Sequence, residues 1–171
     1  MSTTNNAFLD LVRQSWKFRL YMLRNLPAAY FSGVRVKEID MEKATVTVPF
    51  KWFSQNPFRS TYFACLAMAA EMSTGLLAML HTYRHDPSIS MLVVKLEAEY
   101  FKKATGLTYF TCRDGDGILH AIEETVVTHE PVTYLAKSIG TNDKGEVVAE
   151  FRITWSFRVK VRSGGPASIQ P

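Results

Sequence analysis

The chain has 171 residues, 47 % of them apolar, and a formal net charge of +4. Such a length and composition suit a single domain over 1–171 with a real core, and exclude a disordered chain. The mild positive balance suits an anionic ligand such as a nucleotide or coenzyme A and is too weak to imply nucleic acid. Two cysteines, Cys65 and Cys112, are too few for a disulfide framework and read as free thiols in a reducing cytoplasm. The polar start, Met1 to Asn6, lacks the pattern of a secretory leader.

In chain order, Ala7 to Asn25 reads as an amphipathic helix within a helical extension over 1–30. Phe8, Leu11, Val12, Trp16, Leu20 and Leu23 recur at helical spacing, with Arg13, Lys17 and Arg24 largely on other faces. Pro27 stops it. The plain reading is a helix packed over a sheet; a basic amphipathic helix also suits a membrane surface. Strands follow at Val34–Ile39 and Ala44–Phe50, joined by a turn at Asp40–Lys43. A loop then runs from Trp52 to Arg59.

Tyr62 to Leu80 is an apolar helical run with one carboxylate, Glu71, near its middle. It is long enough to span a bilayer, but a central acid is costly there, and strand-like sequence follows. The run therefore reads as a helix enclosed in a protein core, not a membrane span. An acid in such surroundings is expensive unless it has a task, and desolvation raises its pKa toward that of a general base. Asn56 lies upstream in the loop, and backbone N–H groups at the helix start, Phe63 among them, are suited to a developing oxyanion. Together these point to hydrolysis of an activated acyl group. The alternative for Glu71 is a structural acid bonded to a polar neighbour, and for Asn56 a turn residue ahead of Pro57.

Beyond the break at Asp86-Pro87-Ser88, Met91 to Phe101 reads as a strand with Leu92, Val94, Leu96, Ala98 and Tyr100 on one face. Leu107–Arg113 is a strand, Gly117–Glu130 a helix, and Val132–Ile139 and Glu146–Val161 are strands joined at Asn142–Gly145. Along the last strand, Phe151, Ile153, Trp155, Phe157, Val159 and Val161 alternate with Arg152, Arg158, Lys160 and Arg162. The basic stripe is a solvated face or a site for phosphates. The tail from Ser163, 163–171, reads as frayed. His81 and His85 close the long helix, where the dipole favours a cation, and no spacing resembles a metal site. The fold class is α+β: a curved antiparallel sheet wrapped around a long central apolar helix, with an extra helix at the N-terminus.

The element order, the Asn56…Glu71 spacing and the segment Tyr100-Phe-Lys-Lys-Ala-Thr-Gly106 resemble the hotdog-fold thioesterases. The likeness is to the phenylacetate-type acyl-CoA thioesterases and a thioesterase-like family with an added N-terminal helix, and it covers Phe31 to Arg158. The resemblance implies that Asn56 orders the thioester or a water, that the Phe63 amide polarises the thioester carbonyl, and that Glu71 is the base or nucleophile. It implies a homodimer or dimer of dimers in which acid and oxyanion donor come from opposite subunits. Ser88 or Ser90 resembles in position a polar residue that holds the water. Coenzyme A enters as part of an acyl-CoA substrate, with no separate cofactor. Phe58, Tyr62, Met68 and Met72 then suit an apolar acyl pocket, and Lys102, Lys103 and Arg158 the phosphates. One departure stands out: Ser60-Thr61-Tyr62-Phe63 replaces the Gly-rich turn of many members, where a missing side chain lets backbone and thioester approach. A non-catalytic acyl-CoA or fatty-acyl binding module on the same fold is the alternative.

Overall fold

The computed structural model describes residues 3–160; Val161, Arg162 and the tail expected from Ser163 lie outside the described residues. The expected N-terminal helix is two helices, α1 (Thr3–Arg13) and α2 (Ser15–Asn25). They part at Gln14, whose φ of −74° and ψ of 82° leave the helical region. The break resets the helical phase. In α1 Phe8, Leu9 and Val12 are buried; in α2 it is Phe18 and Met22. Trp16, Leu20 and Leu23, expected on the inner stripe, are 66 %, 61 % and 40 % exposed instead. Pro27 stops one helix and starts another, α3 (Pro27–Phe31), because a missing N–H is harmless at a first helical position.

Six strands form one antiparallel sheet: β1 (Arg35–Ile39), β2 (Ala44–Val48), β3 (Ile89–Tyr100), β4 (Thr108–Cys112), β5 (Val132–Thr141) and β6 (Val147–Val159). Their order is β1-β2-β4-β5-β6-β3, so β1 and β3 are the edges. The helix α4 (Phe63–Thr82) touches all six strands, as it can only if the sheet curves around it. By length and composition α4 could cross a membrane, with a mean hydropathy of 1.7 in its most apolar window. Here it is a core helix: Ala69, Ala70, Leu77, Ala78 and Leu80 have no exposed surface. The final strand alternates as expected, with Phe151, Ile153, Trp155 and Phe157 buried.

A second helix, α5 (Gly115–Thr128), packs beside α4 over β5 and β6. His81 at the end of α4 is buried, and burial pulls the imidazole below its ordinary pKa although the Met41 backbone and the Asp116 and Glu123 carboxylates favour the cation. The contact between α5 and the β1–β2 turn is unusually close. A Cβ on Gly115 would lie 2.1 Å from the Met41 carbonyl oxygen and 2.6 Å from Glu42 Cα. Both are backbone atoms, and the Gly115 N–H donates to the Glu42 carbonyl at 3.1 Å. Gly115→Ala is expected to push α5 outward and to cost about 1–3 kcal/mol, read from the urea midpoint.

The expected single apolar face of β3 does not form. A register shift between Val93 and Lys95 inserts one extra residue opposite β6. Leu96, Ala98 and Tyr100 stand opposite buried Ile153, Phe151 and Ala149, on the helix side; Leu92 stands opposite Ser156 on the other. Leu92, Val94, Leu96 and Tyr100 are 65 %, 51 %, 44 % and 47 % exposed. The two central helices cover β2, β4, β5 and β6 more fully than this edge, so β3 keeps an open flank.

Candidate active site

The loop before α4 is built by its own polar groups. Asn56 Oδ1 accepts from the Phe58 amide at 3.0 Å and from the Ser60 amide at 3.2 Å, an Asx-type turn. Its Nδ2 donates to Ser60 Oγ at 3.1 Å. Arg59 at the turn's apex has a φ of 57°, a left-handed conformation. The loop is tied at its far end as well: the Tyr62 amide donates to the Ser54 carbonyl and the Thr61 amide to the Ala104 carbonyl, both at 2.7 Å. Ser54, which closes a short 3₁₀ turn at Trp52–Ser54, is fully buried.

These ties aim the start of α4 at a cavity of about 600 Å³. Asn56, Phe58, Tyr62 and Phe63 line it together with Tyr100, Phe101, Lys102 and Lys103. Tyr62 has extended backbone, and no side chain caps the helix. Among the described residues the Phe63 and Ala64 amides have no acceptor, as expected of the first donors of a helix. Of the two residues only Phe63 lines the cavity, which therefore has one acceptor-free amide and the positive end of a helix dipole at its wall. Tyr62 and Phe63 pack edge to face at 4.8 Å, so the bulky entry is an ordered aromatic wall.

Glu71 does not line this cavity. It lies about 12 Å farther along the helix axis than Phe63, at the ordinary rise per residue. Its carboxylate is half-buried and, among the described residues, hydrogen-bonded to nothing, and desolvation pushes its pKa up. The structural-acid alternative of a bonded partner thus finds no support in these contacts. Room for the carboxylate comes from Gly75, one turn on. A Cβ there would lie 3.2 Å from Glu71 Oε1 and 3.3 Å from the Trp155 ring. Trp155 Nε1 donates to Thr74 Oγ1 at 2.9 Å. Since Trp155 pairs with Val93, the acid lies on the side of α4 that leads to the open β3 flank.

Residues 15–157 match a family described as a domain of unknown function, DUF4442. The chain belongs to the DUF4442 family. No curated protein matches it. Solved structures resemble this DUF4442 chain over nearly their whole length. One is PA5026 of Pseudomonas aeruginosa, described as a probable thioesterase: 19 % identity, TM-score 0.70, with 94 % of this chain and 99 % of that one covered. Another is the thioesterase HI1161 of Haemophilus influenzae, at 10 % identity and TM-score 0.60, covering 85 % and 92 %. A third is the PaaI protein of the phenylacetic acid degradation operon of E. coli, at 15 % identity and TM-score 0.60, covering 88 % and 96 %. The DUF4442 chain has the hotdog fold of these thioesterases, as its sequence led us to expect.

Of the residues singled out from sequence, the fold brings Asn56, Phe58, Tyr62, Phe63, Lys102 and Lys103 to one cavity. The lysines are not idle: Lys102 pairs with Glu146 at 2.6 Å, and Lys103 Nζ lies 3.5 Å from the Phe58 carbonyl. Met68 is partly buried against the core and does not line the cavity. Ser90 and Arg158 are cross-strand partners, Ser90 Oγ donating to the Arg158 carbonyl at 3.3 Å. They lie about 33 Å along β3 from Tyr100, remote from the cavity of the same copy. The sequence reading missed Phe101 and Leu66 as lining residues, and Gly75, Thr74 and Trp155 as the surroundings of Glu71. Two signals were present for the last group: Gly75 follows Glu71 by one helical turn, and the alternation of β6 already turned Trp155 inward.

Proposed function

We propose that the protein hydrolyses acyl thioesters, acyl-CoA being the substrate class, as a homodimer or dimer of dimers. The observation that carries the reading is the pairing of the acceptor-free Phe63 amide at a cavity with an unpartnered, half-buried carboxylate on the same helix. The thioester carbonyl accepts a hydrogen bond from the Phe63 amide, which stabilises the oxyanion as it develops. Glu71 takes a proton from water as the water oxygen bonds to the carbonyl carbon; the C–S bond then breaks and the thiolate recovers the proton. Direct attack by Glu71 is the other route to the same products. The aromatic lining suits an acyl or aryl group, and Lys103 and Lys102 are the cations nearest to hand for phosphates.

The axial separation of about 12 Å between Glu71 and Phe63 favours a site whose acid and donor come from different copies. The β3 edge favours a second copy: it has free backbone groups along one side and exposed Leu92, Val94, Leu96 and Tyr100. Antiparallel pairing of two such edges places the beginning of one β3 beside the end of the other, and with it Glu71 of a second copy toward the Tyr100 side of the cavity.

A binding module without turnover is the second reading. It is favoured by Asn56, whose side-chain oxygen is already used within the loop, and by Tyr62-Phe63 where a Gly-rich turn would admit the thioester. A panel of acyl- and aryl-CoA thioesters, read by release of free thiol, separates the two. Hydrolysis with a preference among acyl groups is expected. Tight binding without thiol release, unchanged by Glu71→Gln, would assign the protein to the second reading.

A further inference from the structure

The helix α2 is apolar on two opposite sides, and the described chain covers only one of them. Phe18 and Met22 face the core, while Trp16, Leu20 and Leu23 form a solvent-facing stripe at the spacing of successive turns. A chain of ring contacts leads on from this helix. The Arg19 guanidinium lies 4.9 Å from the Tyr30 ring, Tyr30 meets Phe31 at 5.4 Å, Phe31 stacks on Phe53 at 5.7 Å, and Phe53 meets Trp52 at 5.3 Å. Phe31, Phe53 and Trp52 are 52 %, 58 % and 78 % exposed. An exposed set of Trp, Phe and Leu this extensive is unusual on a surface meant only for water.

The charges beside it have one sign. From Leu11 to Lys37 the chain has six cations, Arg13, Lys17, Arg19, Arg24, Arg35 and Lys37, and no acidic residue. Lys51 adjoins Trp52, and with Arg35 and Lys37 it lines a separate cavity of about 390 Å³. Among the described residues none of these seven forms an ion pair. Exposed Trp and Leu flanked by unpaired Lys and Arg are the features by which a helix lies in the headgroup region of a bilayer. A second copy of the same face would bring like charges together, whereas an anionic lipid surface neutralises them.

We propose that the face formed by α2, Phe31 and the Trp52–Ser54 turn docks the protein on an anionic phospholipid surface, the aromatic and leucine side chains entering the headgroup layer and the cations meeting lipid phosphates. The proposal goes beyond the hydrolytic reading and is tested without any thioester. The full chain is sedimented with vesicles of phosphatidylcholine alone and of phosphatidylcholine with phosphatidylglycerol, at low and high salt. Binding is expected only to the anionic vesicles and to weaken with salt. Lys17→Ala with Arg24→Ala should lower the partition coefficient roughly thirtyfold, from the usual contribution of each surface cation. Trp16→Ser with Leu20→Ser, on the exposed stripe, should lower it at least as much while the circular dichroism spectrum is retained. Equal binding to both vesicle types, binding to neither, or indifference to both double variants would overturn the proposal. So would a fall in oligomeric state on Trp16→Ser with Leu20→Ser, which would assign the face to a second copy.

Discussion

Glu71→Gln is expected to lower kcat for thioester hydrolysis by about 10²–10⁴-fold, the usual contribution of a positioned general base, with KM little changed. The same substitution should raise thermal stability at pH 8. The sign follows from desolvation. Burial raises the Glu71 pKa, so the folded state binds that proton more tightly than the unfolded chain does. Above the raised pKa, ionisation in the fold costs stability, and Gln removes the cost. Below the ordinary carboxylate range both states hold the proton, and the gain should vanish. Melting curves of the two proteins from pH 3 to pH 8 check this. Wild-type kcat should fall on the acid side at a pH above that of an ordinary carboxylate, because only the ionised acid acts as a base. A Glu71→Gln protein that keeps full turnover would remove Glu71 from the reaction.

Phe63→Pro isolates the other half of the site. Proline deletes the one N–H proposed to meet the oxyanion, and it does so where the backbone accepts it. Position 63 is the first residue of α4, and Tyr62 before it has a φ of −62° and a ψ of 134°, already suited to a following proline. The expected loss in kcat is about 10²–10³-fold, and Phe63→Ala, which keeps the N–H, should retain most activity. If acid and donor come from different copies, the two dead variants should rescue each other. Co-expressed Glu71→Gln and Phe63→Pro chains form hybrid dimers with one intact site in two, which restores roughly a quarter of wild-type activity. No recovery from verified hybrids would place acid and donor in the same copy.

The fold was unusually legible. The alternation of β6 and the apolar length of α4 are strong periodic signals, and both elements are where their residues led us to expect. Two local features were not. The helix break at Gln14 has no glycine or proline to announce it, and the pattern Phe8 to Leu23 runs smoothly through it on paper. The shift within β3 likewise hides in a continuous run of strand-forming residues, where one unpaired position turns every earlier side chain to the other face. Part of the site was legible for a similar reason: Asn56, Phe63 and Glu71 stand out because polar groups beside an apolar helix need explaining.

Sequence by itself determined that a helix carrying Glu71 would be enclosed by antiparallel strands, because removing so apolar a run from water is the strongest force favouring the folded chain. It also determined the surplus of cations from Leu11 to Lys37. Only the tertiary structure decided which of these groups meet. It set Asn56 to building its own loop, gathered Lys102 and Lys103 at the same cavity as Phe63, and left Glu71 about 12 Å along the helix axis from the amide it was expected to serve. It also decided that Trp16, Leu20 and Leu23 face outward. Periodicity says that residues share a face; what that face touches depends on partners distant in the chain, whose placement no local pattern encodes.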